Sequence, residues 1–213
     1  MDKQSNIDSN KKIIDTLNTG DILLFTSSDH WYDWVVKKFT FSPYSHSAMV
    51  LKDPTYIKSD LSGTYLIQSD SSVKEDVEDH KHKFGVQIVP IDDIFNSGYD
   101  IVYVRRLNTE RNEEFNKKLQ EIHKTVHNVP YDLNLFNWWT AGMYHLGLSK
   151  EMVKRHTNRF WCSALVAFIY TELGLIDSNT DWSNMAPSDL ANSKFEVFKP
   201  SLLRNIETIF NFK

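Results

Sequence analysis

The sequence predicts an α+β fold, with a curled, mostly antiparallel sheet from the first half of the chain packed against a helical second half. Three observations carry this. Short apolar runs bounded by turn residues recur between Gly20 and Arg105. From Thr109 onward, apolar residues return at helical spacing instead. No Pro/Gly/Ser-rich linker, internal repeat or low-complexity tract divides the two halves, and strands grouped before helices indicate one α+β unit. At 213 residues the chain can bury a full core. The expected layout is an N-terminal extension over residues 1–19, flexible or helical, followed by a single domain over residues 20–213.

Residues 1–12 are polar, and Ile13, Ile14 and Leu17 then mark one or two helical turns. Gly20 introduces a short apolar strand, Asp21 to Phe25. Ser27, Ser28 and Asp29 can cap a helix with Trp31, Trp34, Val35 and Phe39 on its inner side, ended by Pro43. Ser47 to Leu51 reads as a second strand with His46 at its start. Lys52 to Gly63 is a polar excursion, and Tyr65 to Ser69 is a third strand. The charged stretch from Asp70 to Gly85 is expected to be a mobile loop. Val86–Pro90 and Ile101–Arg105 are two more strands, with a helical turn from Asp92 to Asn96 between them.

In the second half, Phe115, Leu119, Ile122 and Val126 define an amphipathic helix. Pro130-Tyr131-Asp132 breaks it. Leu135 to Leu148 is rich in aromatics, including Trp138 and Trp139. A helix follows from Cys162, with Leu165, Val166, Ile169 and Leu173 on one buried face and Gly174 as its C-terminal cap. Pro187-Ser188-Asp189-Leu190 turns into one more helical turn. Phe195–Phe198 is expected as an edge strand and Leu202–Phe210 as a terminal helix.

Composition excludes several classes. Twenty-eight acidic against 24 basic residues leave a net charge of −4, with the signs interspersed. Nucleic-acid binding, which needs a basic face, is therefore not expected. One cysteine excludes an intrachain disulfide framework and a cysteine-built zinc site. The polar N-terminus lacks a signal-peptide core, and no apolar run reaches membrane-spanning length. The expected location is cytoplasmic, in the host cytoplasm if the chain is viral. Contact with a membrane surface stays open, as does the oligomeric state.

The candidate chemistry centres on Cys162. A thiol at a helix N-terminus meets the positive end of the helix dipole and unpaired backbone N–H groups, and both favour thiolate. The plain alternative is a small buried core residue. A nucleophilic thiol needs a base. His46, at the start of an apolar strand behind a Pro-Tyr-Ser turn, is the best placed of eight histidines. Alone it could equally be a strand-end histidine. A third group should orient the imidazole. The next strand offers Gln68, which would share a sheet face with Asp70. A metal site from His80, His82, His123 and His127 is the competing reading. No H-E-x-x-H motif supports it, so no metal and no cofactor are expected.

GDILLF, YSHSAMV, YLIQSDS, VPYDL, FWCSALVAFIYTELGL and APSDL, in that order, resemble the circularly permuted papain-like (NlpC-type) cysteine hydrolases. The likeness is to the YiiX-like bacterial proteins and their poxvirus relatives, within a clan that includes lecithin retinol acyltransferase. It runs from about Gly20 to Leu190. His46 precedes Cys162, which is the permuted order. The resemblance implies a permuted papain-like fold, Cys162 as nucleophile and His46 as base. Gln68 falls where the family has an orienting residue, often Glu or His, with Asp70 in reserve. Asp21 matches a recurrent Gly-Asp pair and is expected to support the first strand near the site. Tyr131 and Asp132 match another pair, expected at the cleft. The backbone N–H of Cys162 would serve an oxyanion.

The implied reaction is hydrolysis of an amide or ester bond through a thioester, most simply by a peptidase or amidase. A lipid acyl hydrolase or acyltransferase is the alternative, for which Trp31, Trp34, Trp138 and Trp139 could form an acyl groove. A non-catalytic binding module on the same fold is a third reading, kept open by the neutral Gln68.

Overall fold

The structure is a computed structural model that describes residues 10–27, 43–131, 160–191, 198 and 202–212. A short helix at residues 10–15 leads into six strands: β1 (Ile22–Thr26), β2 (His46–Lys52), β3 (Thr64–Glu75), β4 (His82–Pro90), β5 (Ile101–Arg105) and β6 (Glu207–Asn211). They form one sheet in the order β4-β3-β2-β1-β5-β6, with every neighbouring pair antiparallel. Helices α1 (Glu113–Val126), α2 (Cys162–Glu172) and the short α3 (Pro187–Ala191) complete the described elements, with 3-10 turns at Ile91–Asn96 and Trp182–Asn184. The α+β reading holds.

Both faces of the sheet are covered. Ile22, Leu24, Met49, Leu51, Ile67 and Ile88 pack with α1 and α2. Leu23, Phe25, Ala48, Val50, Leu66 and Val104 face the opposite way, onto Ile14, Leu17, Ile91, Ile94 and Phe210. This is why the runs ILLF and SAMVL are continuously apolar rather than alternating. The helix at residues 10–15 thus closes a core through Ile14 and the fully buried Leu17 that follows it.

Three expectations are corrected. Helix α2 does not expose a polar face: every residue from Cys162 to Tyr170 is buried. A helix apolar all round belongs in an interior, and here it lies between the sheet, α1 and the segment around Trp182. Gly174, at φ +76°, ends it as expected, its N–H donating to the Thr171 carbonyl (2.9 Å).

Residues 70–85 are not a loop. β3 and β4 continue through them into a hairpin turn built on buried Asp76, whose Oδ2 accepts from Lys83 Nζ (2.9 Å) and the Ile88 N–H (3.0 Å). Buried charges persist only when paired and hydrogen-bonded in this way. The ladder is broken by a bulge, three residues (71–73) standing against one between the Asp70↔Gly85 and Lys74↔Lys83 pairs.

The expected terminal helix is instead β6. It adds Glu207–Asn211 to the free edge of β5, burying Phe210 against Phe95. Of the expected edge strand at 195–198 only Phe198 is described, bridging to Ile176. The helix expected after Ser27 and the aromatic stretch from Leu135 to Leu148 lie outside the described residues.

The free edge of β4 is closed by the segment 129–131, through Val86 N–H to the Val129 carbonyl (2.9 Å) and Tyr131 N–H to the Phe84 carbonyl (3.3 Å). Gly85, at φ +134°, makes that approach feasible: a Cβ there would stand 2.4 Å from the Val129 carbonyl oxygen. Gly85→Ala is expected to cost about 2–4 kcal/mol, since both the backbone conformation and the contact forbid a side chain. A thermal melt that matches wild type would show that the segment does not pack as described.

Candidate active site

Cys162 is the first residue of α2, and the backbone before it is fixed by unlike contacts. Tyr131 and Phe160 form a parallel bridge, and the Ser69 hydroxyl donates to the Phe160 carbonyl (2.7 Å). Trp161 is extended and offers no side-chain cap. Its indole N–H donates to the Met185 carbonyl (3.3 Å), which also accepts from the Ser163 hydroxyl (2.6 Å). The first-turn N–H groups have no capping side chain and point with the helix dipole toward the thiol end.

His46 is the first residue of β2 and is buried with Gln68. Its Nε2–H donates to Gln68 Oε1 at 2.9 Å, which leaves Nδ1 for the Cys162 sulfur. The ring lies 5.4 Å from Phe25 and is stacked 6.2 Å from Tyr99. Gln68 in turn donates from Nε2 to Asp70 Oδ2 (3.4 Å). His46, Gln68 and Asp70 therefore form a line, with Gln68 accepting at one end and donating at the other. A glutamate at 68 could accept but not donate.

Burial opposes charge on both partners, and the pair overcomes it. For Cys162, burial pushes the thiol up. The hydrogen bond and charge of His46, with the Ser47 backbone N–H and hydroxyl, outweigh it and hold the thiol below its ordinary range. For His46, burial pushes down. The Cys162 sulfur, the Asp70 charge and the Gln68 bond outweigh it and raise the imidazole to about 9. Both shifts run in the direction that favours a thiolate–imidazolium pair.

Ser47 was not singled out in the sequence. Strand alternation places it with Met49 and Leu51 on the face toward α2. Among the described residues its buried hydroxyl has no other hydrogen-bond partner. The signal was there in S-H-S, two serines flanking the histidine on the sheet.

An open cleft of about 900 Å³ runs from His46 over the hairpin. Asp70, Ser71, Ser72, Lys74, His80 and Tyr131 are among its lining residues. Tyr131 lines the cleft, whereas Asp132 lies outside the described residues. Asp21 supports β1 but not near the site. It is buried at the far end of the strand from Phe25, the residue that pairs with His46. There its oxygens accept from the N–H groups of Leu107 (2.9 Å) and Asn18 (3.0 Å), with Arg111 at 3.4 Å. Burial raises its carboxyl, against those hydrogen bonds and the two nearby arginines.

The four histidines weighed as a metal site are not brought together. His80 pairs with Glu75 (3.0 Å) and His82 lines the cleft, while His123 and His127 meet Glu78. The four tryptophans expected at an acyl groove lie outside the described residues.

The profile of a family described as "Permuted papain-like amidase enzyme, YaeF/YiiX, C92 family" matches residues 16–185. A search of curated proteins finds no match. Among solved structures, the crystal structure of metalloprotein yiiX from Escherichia coli O157:H7 is similar at 17% identity. The match covers 92% of this chain and 97% of that chain, with a TM-score of 0.47.

The pair sets a pH window. Cys162 should alkylate with iodoacetamide at lower pH than an ordinary exposed cysteine does, because His46 and Ser47 hold its thiol below the usual range. Any turnover that uses the imidazolium as acid should fall as pH rises through about 9, where His46 loses its proton. Asp70→Asn removes a charge that favours imidazolium, so this alkaline limb should move down in pH. An unmoved limb would detach Asp70 from the site.

Proposed function

The chain belongs to the permuted papain-like amidase family YaeF/YiiX, and from that premise we propose that it is a cysteine hydrolase of amide bonds in polar, peptide-like substrates. The observation that carries this reading is the buried His46 ring set between Cys162 and Gln68. The Cys162 thiolate attacks the substrate carbonyl carbon, and the C=O electrons move to oxygen. The Cys162 N–H and its first-turn neighbours hold that oxyanion. As the C–N bond breaks, His46 gives its proton to the departing amine, leaving a thioester. Neutral His46 then takes a proton from water, the resulting hydroxide attacks the thioester, and the carboxylate leaves as the thiolate returns. Gln68 holds the ring plane and Asp70 holds Gln68. None of these steps calls for a metal or an organic cofactor.

The described cleft wall favours a polar substrate over a lipid. Beside apolar surface from Val73, Val77 and Pro90, it presents hydroxyls, charges of both signs and imidazoles along its length. A long acyl chain would strip water from those groups without replacing their hydrogen bonds. No helix among the described residues is long and apolar enough to cross a membrane.

A panel of peptide amides, isopeptides and lipid esters, assayed with a thiol-directed activity probe, tests the reading. Peptide-like amides should be cleaved in preference to lipid esters, and Cys162→Ala should abolish turnover while the protein still melts cooperatively. Gln68→Ala should lower kcat by about 10- to 100-fold, less than His46→Ala, since orientation is lost but the base remains. Persistent turnover in Cys162→Ala would remove the thioester mechanism, and preferred cleavage of lipid esters would reverse the substrate class.

A further inference from the structure

Outside the cleft, two imidazoles and a carboxylate converge where the β3–β4 turn meets α1. His123 and His127 stand four residues apart at the C-terminal end of α1, which puts them on one side of the helix. Their rings are 5.3 Å apart. His123 Nε2 lies 2.7 Å from Glu78 Oε2, and His127 Nδ1 lies 3.0 Å from the same oxygen. The three candidate donor atoms are all within 4.8 Å of one another. We propose that Glu78, His123 and His127 form a zinc site that fastens the β3–β4 hairpin to α1.

The donor set is the first argument. Two imidazole nitrogens and one carboxylate oxygen suit zinc, whose fourth position water can fill. Glu78 and His127 keep side-chain exposures of 22% and 26%, so an ion and its water can enter, while His123 at 5% walls the inner side. Pre-organisation is the second. The Glu78 backbone N–H donates to Asp76 Oδ1 (2.7 Å), and Asp76 is itself held by Lys83 and the Ile88 N–H. Lys83 is thereby tied to Asp76, and to Asp79 at 3.2 Å, rather than to Glu78. The outer shell is the third. Asp79 Oδ2 stands 3.7 Å from His127 Nε2, the side on which a carboxylate orients an imidazole bound to metal through its other nitrogen. Among the described residues His123 Nδ1 is buried without a hydrogen-bond partner, which leaves that nitrogen free to carry the ring proton when Nε2 binds the ion.

The distances set what binding must change. Tetrahedral zinc with bonds near 2.0–2.2 Å keeps its donor atoms about 3.3 Å apart. The present 2.7 and 3.0 Å separations are hydrogen-bond lengths. Loading therefore moves the ring protons off the binding nitrogens, to the other nitrogen of a neutral imidazole or to solvent from an imidazolium, and moves the Glu78 carboxylate back by about half an ångström, within the reach of a glutamate side chain. The ion takes no part in the thiol chemistry. Its effect is on the hairpin, whose residues Glu75, Val77 and His80 line the cleft.

The test uses full-length, tag-free protein carrying Cys162→Ala, so that the thiolate cannot compete for metal. Co²⁺ is titrated by visible absorption, and Zn²⁺ is titrated against a chromophoric chelator. One Zn²⁺ per chain should bind with a dissociation constant below about 1 μM, and bound Co²⁺ should show the strong bands of a tetrahedral N/O site. Glu78→Gln and His127→Ala should each weaken binding by at least about 100-fold, and His80→Ala should leave it unchanged. Zn²⁺ should raise the Tm of the parent and not that of Glu78→Gln. A parent that melts cooperatively without metal yet binds no stoichiometric Zn²⁺ overturns the proposal. So does binding that survives both Glu78→Gln and His127→Ala, the second change lying at a partly exposed position that the fold tolerates.

Discussion

Two titratable side chains buried side by side in an apolar interior are the constraint the rest of this structure answers to. Cys162 and His46 are each almost wholly removed from water. Either alone would shed its charge, because desolvation of an unpaired ion costs several kcal/mol. Together they stay ionised only if their geometry holds. That requirement explains the density of ties around them. Ser69 grips the carbonyl before the helix, Met185 receives two donors beside it, and Ser47 turns an N–H and a hydroxyl to the sulfur. The sheet brings β2 and β3 together so that His46 and Gln68 meet on adjacent strands.

Gln68 shows how a neutral residue can serve where a carboxylate would be expected. The negative charge that favours imidazolium is supplied one step further out, by Asp70, and the amide conveys it while fixing the ring. A carboxylate at 68 would set a like charge against Asp70 where the amide now donates a hydrogen bond at 3.4 Å. The choice of residue at 68 is thus coupled to the residue two positions on, and neither can be judged alone.

Much of this was legible in the sequence, for identifiable reasons. Strand segments declared themselves through continuous apolar runs between turn residues, and Cys162 through its place at a helix start. His46 and Gln68 could be paired because strand alternation restricts which side chains share a face. What was missed depends on long-range partners. Residues 70–85 read as a loop because their charges look solvated in one dimension. Only the fold reveals Asp76 buried with Lys83. The segment at 207–211 carries a weak local signal, and the vacant edge of β5 decides in favour of a strand. Ser47 is invisible from composition, since its importance lies in which way a sheet faces. Glu78 escaped for the same reason: it joins His123 and His127 from a turn far away in the chain.

The separation of His46 from Cys162 along the chain also governs when the thiol becomes dangerous. In an unfolded or partly made chain, Cys162 has no imidazole, no oriented helix and no Ser47 beside it, and its thiol is as sluggish as any exposed cysteine. His46 and Ser47 come to the sulfur only when α2 docks on the sheet, whose strands β1 to β5 precede it in the chain. The fold is its own safety catch. On the proposed mechanism, the rate at which Cys162 reacts with an alkylating agent at low pH should report whether α2 has seated on the sheet.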